Sequence, residues 1–147
     1  MKSEILTSFF LRELDRLKEE ISLFGSGDNL WKERKGISNS AGNLALHLIG
    51  NLNHFIGATL GNTGYIRERE LEFTNKNVPE KQIISEIETT KKMIEDILSQ
   101  LTPEDLDKDY PIEKSFGKVS TRFLLIHLIT HLNYHLGQIN YYRRISK

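Results

Sequence analysis

The chain of 147 residues contains no cysteine. That absence excludes disulfides, zinc–thiolate sites and a cysteine nucleophile, and it is compatible with the cytoplasm. Neither sign of charge is in excess, since 20 Lys plus Arg balance 20 Asp plus Glu. Binding along a phosphate backbone needs clustered positive charge, so no nucleic-acid partner is expected. Long runs of like charge are missing too, which leaves no charged tail. Apolar stretches are broken by His, Asn or Thr before they reach the roughly 18 residues of a membrane span. The first residues mix Glu4, Glu13 and Asp15 with apolar ones and offer no small-residue cleavage site, so no signal peptide is expected. No alternating strand pattern, internal repeat or low-complexity tract occurs. Any metal would have to be held by His, Asp, Glu, Asn, Gln or water.

What is present is helical periodicity in four segments, in a length that suits one domain over 1–147. The first helix is expected from about Lys2 to Phe24. Ile5, Phe9, Leu14 or Leu17 and Ile21 would face the core, with Arg12, Asp15, Arg16, Lys18 and Glu19 in water. Gly25, Ser26, Gly27 and Asp28 would stop it. The second is capped by Ser38 or Ser40 and runs to about Leu60, before the Gly-Asn-Thr-Gly of 61–64. A connection over 65–78 follows, long enough to suggest function. Pro79 opens the third helix, which carries Ile83, Ile84, Ile87, Met93 or Ile94, Ile97, Leu98 and Leu101 on one face. A second long connection covers 105–117. Ser120 then caps a fourth helix to about Ile145, with Arg143, Arg144 and Lys147 where cations suit the dipole. Four helices of about 20 residues predict an all-α four-helix bundle, with long connections between helices two and three and between three and four.

The fourth helix holds the feature that points to function, "HLITHLNYHLGQ" at 127–138. Residues four apart on a helix drift by only about 40°. His127, His131, His135 and Gln138 therefore share one arc, beside the apolar face of Leu128, Leu132 and Leu136 and away from Thr130, Asn133 and Asn140. Helix two repeats the pattern with Asn43, His47, Asn51 and His54 between leucines. Two apolar helices, each with one polar line, can face each other and enclose a polar pocket, which is how bundles build metal sites. Two histidines one turn apart and a third from another helix leave open coordination positions, the catalytic arrangement. A lone histidine on such a face is usually a hydrogen-bonded core residue, and that reading leads for His54 and for His127 taken singly. An oligomer interface could also bury the stripe. Asn43, Asn51 and Gln138 suit a supporting role better than ligation.

The zincin pattern H-E-x-x-H is absent, because leucines follow His131 and His135. Helices two and four hold no carboxylate, so the glutamate-rich di-iron set is absent as well. Glu68, Glu70 and Glu72 could supply a proton acceptor by position alone, but their ordinary reading is as solvated charges.

"NLALHLIGNLNHF" at 43–55 followed by "LLIHLITHLNYHLGQINYYRR" at 124–144 resembles the DinB-like superfamily of bacterial four-helix bundles. That superfamily includes YfiT-like metal-dependent hydrolases and thiol-dependent S-transferases. The H-x-x-x-H-x-G-Q signature is its more specific part, and the element order matches over nearly the whole chain. The resemblance implies one divalent ion, zinc, nickel or iron, held by His47, His131 and His135. His127, one turn earlier, is the alternate ligand, and His54 has no ligand role in the pattern. It further implies a homodimer, a small-molecule substrate and, for transferase members, a low-molecular-weight thiol as cosubstrate. A non-catalytic metal-binding or small-ligand-binding stress-response bundle is the alternative.

Overall fold

Residues 2–25 and 28–146 are described by the structure, a computed structural model. Ser26 and Gly27 of the expected helix stop, and Lys147 of the expected C-terminal cations, lie outside the described residues. Helix α1, Ser3–Leu23, buries Leu6, Phe10, Leu14, Leu17 and Ile21. The expected inward residues Ile5 and Phe9 are displaced by one position: Ile5 is 47% exposed, and Phe9 is only partly covered. Apolar neighbours at 5–6 and 9–10 leave the phase open. The unbroken step from Leu6 through Phe10 to Leu14 decides it. Gly25, at φ 71°, takes the left-handed conformation that commonly follows a helix end.

Helix α2, Ala41–Leu52, starts at Ser40, whose hydroxyl accepts from the Asn43 N–H. The helix continues through a π-helical stretch, Asn53–Ala58, and a last turn, Thr59–Gly61, to Asn62 in the left-handed region. The connection that follows is not a plain loop, for it contains α3, Arg69–Thr74. After Pro79 comes α4, Glu80–Leu98, which buries Ile83, Ile87, Thr90, Ile94 and Leu98. The second connection holds α5, Pro103–Asp107, started by a reciprocal Thr102–Asp105 capping box. Helix α6, Thr121–Ile145, is capped by Ser120 and carries Arg143 and Arg144 in its last turn. Arg143 pairs with Glu20 of α1 at 2.6 Å.

The fold is all-α. No strand forms among the described residues, only isolated bridges. Helix α1 packs on α4 and α6, and α2 packs on the same two, so the four long helices close a ring around leucines and isoleucines. Burying each such side chain contributes about 1.5–3 kcal/mol before ordering costs. Helix α3 lies against the outer side of α2. That places α2 between α3 and α6, and nearly every α2 residue is buried, polar ones included. Among the described residues no helix is long and apolar enough to cross a membrane.

Candidate metal centre

Helix α2 contributes His47, and α6 contributes His131 and His135 from consecutive turns. One ring nitrogen of each lies within 4.8 Å of the others. His47 Nε2 and His131 Nε2 are 3.2 Å apart. The His135 ring stands nearly perpendicular to both, at centroid distances of 5.3 Å from His47 and 4.6 Å from His131. His47 is buried, and the other two are partly covered.

Two of the rings have their tautomers set by acceptors. His47 Nδ1 lies 3.0 Å from Glu72 Oε1. An ionised carboxylate only accepts, so Nδ1 carries the proton and Nε2 presents its lone pair inward. His135 Nδ1 likewise donates to Gln138 Oε1 at 2.7 Å, which leaves its Nε2 bare. With His47 Nε2 an acceptor, His131 Nε2 donates to it in the metal-free chain, and the His131 Nδ1 is buried without a partner. Burial, then the neighbouring His135 and His47, push the His131 pKa down to about 4, so the ring is neutral near pH 7. His135 is pushed down too, by burial first, with Gln138 working against it. Neutral imidazoles with converging ring nitrogens are the donor set a borderline divalent ion takes, the His131 proton moving to Nδ1 on ligation. The residues present therefore fit a metal.

Glu72 overturns its reading as a solvated charge. It is 6% exposed, whereas Glu68 and Glu70 lie open to water. Arg67 grips it with two hydrogen bonds of 2.8 Å, Nε to Oε2 and Nη2 to Oε1. Burial would raise the Glu72 pKa, but hydrogen bonds from Arg67 and His47 outweigh it and hold the carboxyl below its ordinary value. The carboxylate reaches His47 because α3 is tied down on α2. Asn43 Nδ2 donates to the carbonyls of Glu72 and Asn75, at 3.0 and 2.8 Å. Ser40 and Lys76 in turn donate to Asn43 Oδ1. Gly50 leaves the space Glu72 fills: a Cβ there would sit 2.0 Å from Glu72 Oε2.

The other sequence candidates are spread around this cluster. Gln138 is exposed and holds His135. Asn51 is buried, and its Oδ1 has no partner. His127 is exposed, with its ring 5.0 Å from Phe116. His54 falls in the π-helical stretch, half-buried, edge-on to Phe55 at 4.7 Å. Seven residues carry about 10 Å of helical rise, so His54 lies two turns along from His47 and outside the cluster. Sequence reasoning missed Arg67 and the role of Glu72. The usable signal was the length of their connection together with Glu72 sitting between Leu71 and Phe73.

The cluster contributes to the walls of two cavities. His135 lines one of about 720 Å³ with Leu44, Tyr134, Tyr141 and Tyr142. Tyr142 is the buried one, its hydroxyl donating to the Lys32 carbonyl, while Tyr134 and Tyr141 are exposed. His47 and His131 line the other cavity, of about 400 Å³, with Arg67, Arg69 and Lys114.

A DinB family model matches residues 13–144. A DinB-like protein from Bacillus subtilis, known from a crystal structure, is 21% identical with a TM-score of 0.69. The match covers 95% of this chain and 90% of that one. A second, from Bacillus cereus, is 20% identical with a TM-score of 0.69, covering 93% of this chain and 90% of that one. At such identities the likeness is one of fold. No curated protein matches the chain.

Proposed function

The chain belongs to the DinB family, and on that premise we propose that it binds one divalent metal ion through His47, His131 and His135. In this reading it acts on a small molecule as a metal-dependent hydrolase or a thiol-dependent S-transferase, as a cytoplasmic homodimer. The observation that carries the proposal is the convergence of three ligand nitrogens within 4.8 Å. Zinc, nickel and iron all suit such a set. When bound, the ion supplies Lewis acidity and lowers the pKa of a water or thiol at an open position.

The chain's own residues do the rest. Glu72 fixes the His47 ring and its tautomer by accepting the Nδ1 proton, and Gln138 does the same for His135. Arg67 keeps Glu72 ionised and immobile. Both Glu72 oxygens are thereby engaged, so Glu72 positions a ligand and is not available as a general base. His127, which lines the same cavity as His131, can hold or move a proton at its ring. Tyr134 and Tyr141 offer an apolar wall for the body of a substrate and help keep water from it.

Elemental analysis of untagged protein tests the metal. About one ion per chain, absent from a folded His131→Ala variant, is expected. Full metal occupancy in that variant would overturn the assignment. Light scattering tests the homodimer. The engagement of Glu72 also favours a second reading, a non-catalytic binder of metal or small ligand. Thiol-dependent loss of a model electrophile, or turnover of an activated ester, separates the two: neither activity in metal-loaded protein leaves the binder.

A further inference from the structure

We infer that the cavity bounded by Arg69 and Lys114 is an anion-binding subsite of the histidine centre, so that the substrate carries a carboxylate or phosphate group. The inference rests on the proposed function for the reaction it serves. It starts from a local charge imbalance in a chain whose formal charges sum to zero.

Several cations elsewhere meet carboxylates: Lys18 with Glu88, Lys91 with Asp15, Arg143 with Glu20 and Lys76 with Glu33. At this cavity Arg69 and Lys114 do not. Arg67, Arg69 and Lys114 all line it, and no carboxylate does among the described residues. The nearest one, Glu72, is fully engaged by Arg67 and His47. Arg69 and Lys114 rest on aromatic faces instead, Arg69 over Phe73 at 5.6 Å and Lys114 over Phe55 at 3.8 Å. Rings hold the two cations in place without neutralising them. Burial and then the charges of Arg67 and Arg69 push the Lys114 pKa down. The same side of the molecule depresses His54, through burial, Arg67 and Lys114. For both groups burial is the larger cause, and the neighbouring cations add to it, with Glu72 working against the shift of His54.

The source of the cations matters as well. Arg67 and Arg69 come from the connection that carries α3, and Lys114 comes from the connection before α6. The two long connections converge on one cavity whose opposite wall holds His47 and His131. A volume of about 400 Å³ suits a small molecule and is too confined for a nucleic-acid duplex. A ligand whose anionic end sits between Arg69 and Lys114 would present its other end to the histidines. Arg69 and Lys114 then select by charge, while Arg67, whose Nε and Nη2 are taken by Glu72, adds field.

Isothermal titration at low ionic strength tests this directly, because the field is screened by salt. Inorganic phosphate, succinate and uncharged succinamide are titrated into metal-free and zinc-loaded full-length protein. Saturable binding of phosphate or succinate, but not of succinamide, is expected in both forms, and which anion binds names the class. Arg69→Gln and Lys114→Gln are each expected to weaken it on the order of tenfold, with Lys114→Arg restoring most of it. No saturable anion binding, or unchanged affinity in both glutamine variants, overturns the inference. Metal content read on the same samples keeps the two proposals apart. Anion binding without metal uptake sinks only the metal assignment, and metal uptake without anion binding sinks only the subsite.

Discussion

Glu13 and Glu72 are both buried carboxylates, and both are held below the ordinary pKa by guanidinium groups that overcome burial. Their surroundings differ in what lies beyond them. Glu13, on α1, accepts from Arg12, Arg16 and Asn133, and the network ends there as a tie between α1 and α6. Its two arginines reach half into water, with side chains 51% and 56% exposed. Glu72 accepts from Arg67, itself 12% exposed, and from His47, whose far nitrogen meets His131. One region closes its polar groups on itself. The other passes its order on to lone pairs and leaves His131 Nδ1 and Asn51 Oδ1 without partners. A buried charge is thus no sign of a site by itself. The sign is a satisfied charge whose neighbours remain unsatisfied.

The sharpest break of this comparison is removal of each carboxylate. Glu72→Ala strands the largely covered Arg67 and frees the His47 ring, so a loss of about 3 kcal/mol in urea unfolding is expected, with metal affinity down roughly 10–100-fold. Glu13→Ala lets Arg12 and Arg16 turn to solvent. It should cost about 1–2 kcal/mol and leave metal binding alone. Equal costs, or metal lost in both, would erase the distinction. Gly50→Ala probes Glu72 without touching it. The added Cβ, 2.0 Å from Oε2, must push the carboxylate off its partners. A cost of about 1–3 kcal/mol is expected, together with weaker metal binding in titration.

Acid should act on the two regions in different windows. His131 has a folded pKa of about 4 against an ordinary 6.5. Between those values the unfolded chain binds a proton that the folded chain refuses, so stability rises with pH across the window and is lost as pH falls. Glu13 and Glu72 are depressed from 4.5, so their contribution is present above that value and disappears below it. Thermal melts of metal-free protein should show a slope from pH 6.5 to 4 worth about 1–2 kcal/mol, reduced in His131→Gln. The smallest effect belongs to Gln138→Ala. Stability should stay within about 0.5 kcal/mol while metal affinity drops roughly tenfold.

The sequence was informative where periodicity is strict. The spacing of His131 and His135, the Ser120 cap and the apolar face of α6 could be read directly, since each depends on residues within a turn or two; the cap of α2 stayed open between Ser38 and Ser40, and the face of α4 between Met93 and Ile94. The phase of α1 could not, because adjacent apolar pairs fit two registers. Glu72 was illegible for a different reason. Its burial depends on Asn43, which is 29 residues away and hydrogen-bonds its carbonyl, and on the bare backbone of Gly50. A glutamate in a charged connection looks the same to a composition rule whether or not such a seat exists. The anion subsite was hidden likewise, since Arg69 and Lys114 come together only when both connections fold back.

The strap of α3 over α2 also has a consequence in time. His47 and Glu72 are 25 residues apart in the chain, whereas His47 and His131 are separated by 84. Loop-closure entropy favours the shorter pairing, and synthesis delivers it first. The nascent chain would then hold His47 already locked in its tautomer before α6 leaves the ribosome, and the docking of α6 would complete the histidine cluster. Pulse-labelled hydrogen exchange during refolding should show α2 and α3 protected before α6. The reverse order would mean that the strap latches onto a centre that has already formed.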